Sequence, residues 1–131
     1  MTASTIPGLG RIHQIAQPIH DIDRAVAFYR DILGLPFLFA APPRLAFFDC
    51  AGVRLMLSPP APGHDHPGSV LYFAVDDIHK AHAALAARGA AFSEPPKKIA
   101  TLPDREVWLA PFADTEGNSL ALMSEPRLTG G

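Results

Sequence analysis

The chain has 131 residues, 48% of them hydrophobic, and a formal net charge of -2 at pH 7. That suits one compact domain burying roughly two-thirds of the surface its unfolded chain would expose, and the scattered Lys and Arg offer no basic face to nucleic acid. No segment holds the roughly 20 apolar residues of a membrane span, and residues 1–10 lack the basic and apolar regions of an export signal, so a soluble cytoplasmic protein with no membrane partner is expected.

In chain order, residues 1–10 read as a flexible N-terminus. Residues 11–18 alternate weakly, with Ile12 and Ile15, as a strand entering a helix. Asp21 is the predicted N-cap. Ile22, Ala25, Val26, Phe28, Tyr29, Ile32 and Leu33 follow at helical spacing, and Gly34 is placed to end the helix. Strands are predicted near Pro36–Phe39, Arg44–Asp49 and Val53–Leu57, the last two joined by a turn at Gly52. The only cysteine, Cys50, lies at the end of the middle strand and reads as an inert thiol, with no disulfide partner in the chain. Pro, Gly and His crowd residues 59–68, a connector without regular structure.

The pattern then restarts. Val70–Val75 is a predicted strand, Asp76 or Asp77 caps a helix whose stripe is Ile78, Ala81, Ala84 and Leu85, and Gly89 stops it. Residues 94–104, rich in Pro, are expected to be a loop carrying Lys97 and Lys98. Arg105–Pro111 and Asn118–Met123 are predicted strands around the turn Asp114-Thr-Glu-Gly117, and residues 126–131 a loose tail. The halves echo each other in sequence. Pro18-Ile-His-Asp-Ile-Asp-Arg-Ala25 parallels Ala74-Val-Asp-Asp-Ile-His-Lys-Ala81, and Phe47-Phe-Asp-Cys-Ala-Gly-Val-Arg-Leu-Met-Leu57 parallels Phe112-Ala-Asp-Thr-Glu-Gly-Asn-Ser-Leu-Ala-Leu122. Residues 11–58 and 69–125 are one module written twice.

The module order, the segment Asp21–Leu35, the segment Tyr72–Ile78 and the late turn Phe112–Asn118 resemble the vicinal oxygen chelate superfamily, which includes glyoxalase I, bleomycin-resistance proteins and extradiol dioxygenases. The likeness spans residues 11–125. It implies an α+β fold of two tandem βαβββ modules whose mixed sheet curls into a cup with helices on its outer face, assembled as a homodimer. It also implies a divalent metal held by His, Gln or Glu at four positions. Those positions fall on Gln14, Met56, Val70 and Ala121 in this sequence. The internal repeat supports the alignment, because Gln14 and Val70 stand the same distance before their capping Asp residues, and Met56 and Ala121 the same distance after Gly52 and Gly117.

One amide, one thioether and two hydrocarbon side chains are a poor donor set for a divalent cation, so no cofactor is expected. The alternative metal ligands are His13 with Gln14, should a one-residue bulge swing His13 into the cup, and the connector pair His64 and His66. His79 and His82 share a helical face and read as a solvated pair. His20 reads as a surface residue.

Strand alternation adds Ala16, Arg54, Tyr72, Ser119 and Met123 to the concave side, with Leu55, Leu57, Leu71, Phe73, Leu120 and Leu122 facing the helices. Trp108 and Phe112 are candidate aromatic walls. The expected lining is Gln14, Arg54, Met56, Val70, Tyr72, Trp108, Ser119 and Ala121, suited to a small hydrophobic or weakly anionic molecule, with Arg54 as partner for an anion. None of the expected inward positions is Asp, Glu or His, so no general acid or base is identified. Asp49 and Asp114 read as turn-forming residues, and Asp104, Glu106 and Glu116 as surface or loop carboxylates. The leading reading is a binding protein like the drug-sequestering resistance proteins. The competing ones are a metal-dependent glyoxalase-like lyase or isomerase, or a dioxygenase, with non-standard ligands, and a dimeric scaffold with a filled cup.

Overall fold

The computed structural model describes residues 8–60, 62–63 and 67–128. The first half contains β1 (Gln14–Pro18), α1 (Ile22–Ala27), β2 (Phe37–Ala41), β3 (Leu45–Cys50) and β4 (Val53–Ser58). The second contains β5 (Leu71–Ala74), α2 (Ile78–Ala87), β6 (Ala91–Phe92), β7 (Lys97–Thr101), β8 (Glu106–Ala113) and β9 (Ser119–Ser124). The fold is α+β, and each half builds a mixed sheet. The first has the order β1-β4-β3-β2, with β1 and β4 parallel; the second runs β5-β9-β8, with β5 and β9 parallel and both β6 and β7 on the outer side of β8.

Both helices start as their sequences dictate. The Asp21 side chain accepts the Arg24 N–H at 3.1 Å, and the Asp77 side chain accepts the Lys80 N–H at 3.0 Å, so each satisfies a donor that the first helical turn leaves unpaired. Past Ala27 the first helix widens into a π-helical stretch, Phe28–Ile32, closed by the Leu33 N–H on the Phe28 carbonyl at 3.0 Å. Phe28 and Tyr29 are consecutive, yet both are buried.

One hydrophobic core serves both halves. Phe28, Tyr29, Phe48, Leu55 and Leu57 cluster with Ile78, Leu85, Phe112, Leu120 and Leu122. The tilted ring pair Tyr29–Phe48 and the edge-on pair Phe28–Tyr29 fix its first side, with centroids 6.0 and 5.4 Å apart. Gln17 is 0% exposed within this core. Its amide is satisfied at both ends by the backbone of Ser69, donating to the carbonyl and accepting from the N–H, each at 3.1 Å. The connector passes so close here that a Cβ on Gly68 would lie 2.5 Å from the Asn118 Oδ1 and 2.6 Å from the Gln17 Oε1. Only glycine fits.

Several sequence expectations are corrected. The loop expected over 94–104 contains β7, which places Lys97 and Lys98 in a strand; Pro95, Pro96 and Pro103 flank the pairing instead of interrupting it, with a register shift between Lys98 and Ala100. The tail is held as far as Leu128, through the Glu106 N–H on the Pro126 carbonyl, the Leu128 N–H on the Asp104 carbonyl and an Arg127–Asp104 ion pair at 2.9 Å. Glu116, read as a surface or loop carboxylate, lies in the turn between β8 and β9 but is buried there. His82 is not a solvated partner of His79: its ring lies 4.2 Å from that of Phe92, and its Nε2 is buried without a hydrogen-bond partner. Residues 8–10 have no regular structure, and residues 1–7 and 129–131, expected to be flexible, lie outside the described residues. Among the described residues, no helix is long and apolar enough to cross a membrane.

Candidate functional site

Register decides which side chains share a face. Gln14 is beside Arg54 across β1 and β4, Met56 is opposite Phe47 across β3, and Phe47 is opposite Phe39 on β2. These residues form the face of the first sheet turned away from the helices, while Leu55 and Leu57 point into the core as alternation requires. The face is organised around Arg54. Its Nε donates to the Gln14 Oε1 at 2.6 Å, and its guanidinium carbon sits 5.6 Å from the Phe47 ring centroid. The Gln14 Nε2 turns to the Met56 sulfur at 3.9 Å, and Phe39 stacks on Phe47 with centroids 4.5 Å apart.

The second sheet supplies a blander face. Tyr72 pairs with Ala121 and Ala121 with Pro111; Tyr72 is 55% exposed and Ala121 only 3%. Val70, just ahead of β5, is half exposed and borders two cavities. One, of about 530 Å³, includes His20, Glu116, Asn118 and Ser119; the other, of about 360 Å³, includes Ile15, Leu55, Leu71 and Tyr72. The structure therefore brings Gln14, Arg54 and Met56 into direct contact, joins Val70 to Ser119 and to Tyr72 through cavities, and sets Tyr72 beside Ala121.

Trp108 does not join them. It lies on the helix side of β8, where its ring meets the edge of His79 at 5.1 Å and its Nε1–H donates to Glu106 Oε1 at 3.0 Å. Parity explains the correction, because alternation gives Trp108 the same side as the buried Ala110 and Phe112. Phe112 is likewise a core residue. Sequence reasoning missed Phe39 and Phe47. The signal for Phe47 was its place opposite Met56 in the hairpin, whereas Phe39 depends on a register shift between Phe37 and Phe39 that no local pattern announces.

A second polar assembly links the halves. Tyr29 Oη donates to Asp114 Oδ2 at 2.7 Å; Asp114 Oδ1 accepts the N–H groups of Glu116 and Asn118; and Asn118 Nδ2 donates both to Asp114 and to the Pro18 carbonyl at 2.8 Å. Glu116 accepts the N–H groups of His20 and Asp21 and an Arg24 bridge at 2.7 Å. Burial works to raise the Glu116 pKa, but the Arg24 guanidinium and the Asp21 and His20 N–H groups outweigh it and bring it down to about 2. Burial and the neighbouring Asp114 charge push the Tyr29 phenol well above its ordinary range. Burial, then Asp49, raises the Cys50 thiol, which is the opposite of an activated nucleophile.

Residues 11–122 match the family described as the Glyoxalase/Bleomycin resistance protein/Dioxygenase superfamily. The chain belongs to that superfamily. Its fold is similar to that of a superfamily member from Sphaerobacter thermophilus, at 23% identity and TM-score 0.73, covering 89% of this chain and 98% of that one. A lactoylglutathione lyase from Agrobacterium tumefaciens is 25% identical, with TM-score 0.71 and coverage of 90% and 95%. TnmS3, an antibiotic binding protein from a Streptomyces species, is 25% identical, with TM-score 0.70 and coverage of 89% and 97%. No curated protein matches the chain.

The superfamily's metal can be tested against this donor set. The only hard donor among Gln14, Met56, Val70 and Ala121 is the Gln14 Oε1, and it already accepts from the positively charged Arg54. A divalent cation at that oxygen would have to displace the guanidinium or stand against it. The residues do not fit the group. His13 offers no ready substitute, since β1 pairs with β4 without a bulge from Gln14 to Pro18. Among the described residues no group of three or more His, Cys, Asp or Glu could hold a metal ion, and His64 and His66 lie outside them.

Proposed function

We propose that this superfamily member is a binding protein whose cup takes a small hydrophobic or weakly anionic molecule without a divalent metal. The observation that carries the reading is the Arg54–Gln14 hydrogen bond at 2.6 Å, which puts a permanent organic cation on the one oxygen a metal would need. The aromatic and thioether surface beside it, from Phe39, Phe47 and Met56, suits an apolar ligand body. The likeness to TnmS3, an antibiotic binding protein, is in keeping with this use of the fold. A cytoplasmic setting fits the single free thiol, Cys50.

The working unit in this reading is a homodimer. Phe37 and Leu38 are both at least 41% exposed on β2, an edge strand whose free backbone edge a second copy would pair with, leaving the face that carries Phe39 and Arg54 open. Light scattering on an eluting peak should give twice the chain mass.

The likeness to a lactoylglutathione lyase favours a competing, metal-dependent reading, and one experiment separates them. Calorimetric titration with a panel of small aromatic and aliphatic ligands should show micromolar binding in chelator-treated protein. Turnover of the hemithioacetal of methylglyoxal and glutathione should stay at background with or without added Ni or Zn. Metal-dependent turnover would overturn the proposal.

A further inference from the structure

We infer that the ligand is a flat aromatic carboxylate, held by Arg54 through its carboxylate and by Phe39 and Met56 through its ring. This rests on the small-molecule reading above and makes it specific. Arg54 is committed on one edge only: Nε donates to Gln14 and the planar group packs on Phe47. Its two terminal nitrogens have no acceptor among the described residues. Asp49 is Arg54's register partner on the neighbouring strand, but its Oδ1 turns back to accept the Gly52 N–H at 3.1 Å. No ion pair between Asp49 and Arg54 occurs among the described residues. The guanidinium is thus oriented by Gln14 and Phe47 while its terminal donors stay free.

Such a group is a two-pronged donor in a fixed plane, the geometry that a carboxylate meets with two parallel hydrogen bonds. One cation matches one negative charge. A phosphate dianion would leave charge uncompensated, because the side chains that hold the Arg54 guanidinium, Gln14 and Phe47, bring no second cation. The ring preference comes from what lies alongside. Phe39 stacks on Phe47 yet remains 47% exposed, so its free surface is available to a further ring, and the Met56 sulfur adds polarisable surface on the same face.

The probes are 2-naphthoate and its neutral counterpart 2-naphthamide, titrated calorimetrically into the full chain. Naphthoate should bind about tenfold tighter than the amide, because only the anion can take both terminal donors as charge-assisted bonds. Arg54→Gln should abolish that preference, and Arg54→Lys should restore only part of it, since charge returns without the fork. Phe39→Ser should weaken both ligands together. Arg54 is partly buried on the open face of its sheet and lies outside the hydrophobic core, so circular dichroism should show the variants folded. If naphthoate and naphthamide bind equally, or if the preference survives Arg54→Gln, this inference is wrong and the small-molecule reading stands. If neither binds, both fail.

Discussion

The turn between β8 and β9 is tied to the opposite half of the molecule, whereas its counterpart between β3 and β4 hydrogen-bonds only within its own half, to Gly52 and to the Pro36 carbonyl. In the former, Asp114, Glu116 and Asn118 reach Tyr29, Arg24, Pro18 and the backbone at His20 and Asp21. In the latter, Asp49 accepts from Gly52, and the neighbouring Cys50 and Ala51 border an apolar cavity of about 650 Å³ against Phe73, Val75 and Leu85. Duplication supplied the same Asp at both turns. What differs is the company: Glu116 and Asn118 occupy the positions that are Ala51 and Val53 in the first copy. The second half thus supplies the lock, and the first half, relieved of that task, carries Arg54 on an open face.

The comparison is broken or sharpened by substitution. Asp114→Ala should have the largest effect, about 3–4 kcal/mol of lost stability in denaturant melts, because the buried Tyr29 hydroxyl and the N–H groups of Glu116 and Asn118 lose their acceptor together. A loss near that of Asp49→Ala would show the turns to be equivalent.

Glu116→Gln should cost less, about 2 kcal/mol near neutral pH once the half-exposed Arg24 is discounted for solvent screening. Its pH dependence has a definite sign. The folded carboxyl titrates near 2, below its ordinary 4.5, so its contribution is fully present above pH 4.5 and lost as the pH falls toward 2. The stability gap between the native chain and Glu116→Gln should therefore close across that acid range. A gap that stays constant would mean that the carboxylate charge is not what Arg24 and the helix start hold.

Arg54→Gln should cost about 1 kcal/mol, for one side-chain hydrogen bond to Gln14 and the contact with Phe47, while removing about tenfold in affinity for an anionic ligand. Asp49→Ala should cost least among the turn substitutions, about 0.5–1 kcal/mol for one local side-chain to backbone bond.

Much of this architecture was legible because the signals are local. Asp21 and Asp77 announce helix starts, and the alternation around Leu55, Leu57, Leu120 and Leu122 marks the core face. What escaped depends on partners distant in the chain. Glu116 looks like a turn carboxylate until His20, Asp21 and Arg24 arrive from 92 or more positions away. The strand β7 was masked by prolines that flank it, and Trp108 was assigned by chemistry where parity was the better guide. Gln14 and Met56 were paired in the sequence by family position. That Arg54 takes Gln14's oxygen follows only from the parallel register of β1 and β4.

The most direct test of a cup that works without a divalent ion is to titrate one small aromatic ligand into two samples of the same protein, one treated with chelator and one loaded with Ni or Zn, while measuring bound metal by elemental analysis. The prediction is equal micromolar affinity in both, with metal far below one ion per chain. Affinity or turnover that appears only in the loaded sample, together with stoichiometric bound metal, would contradict it.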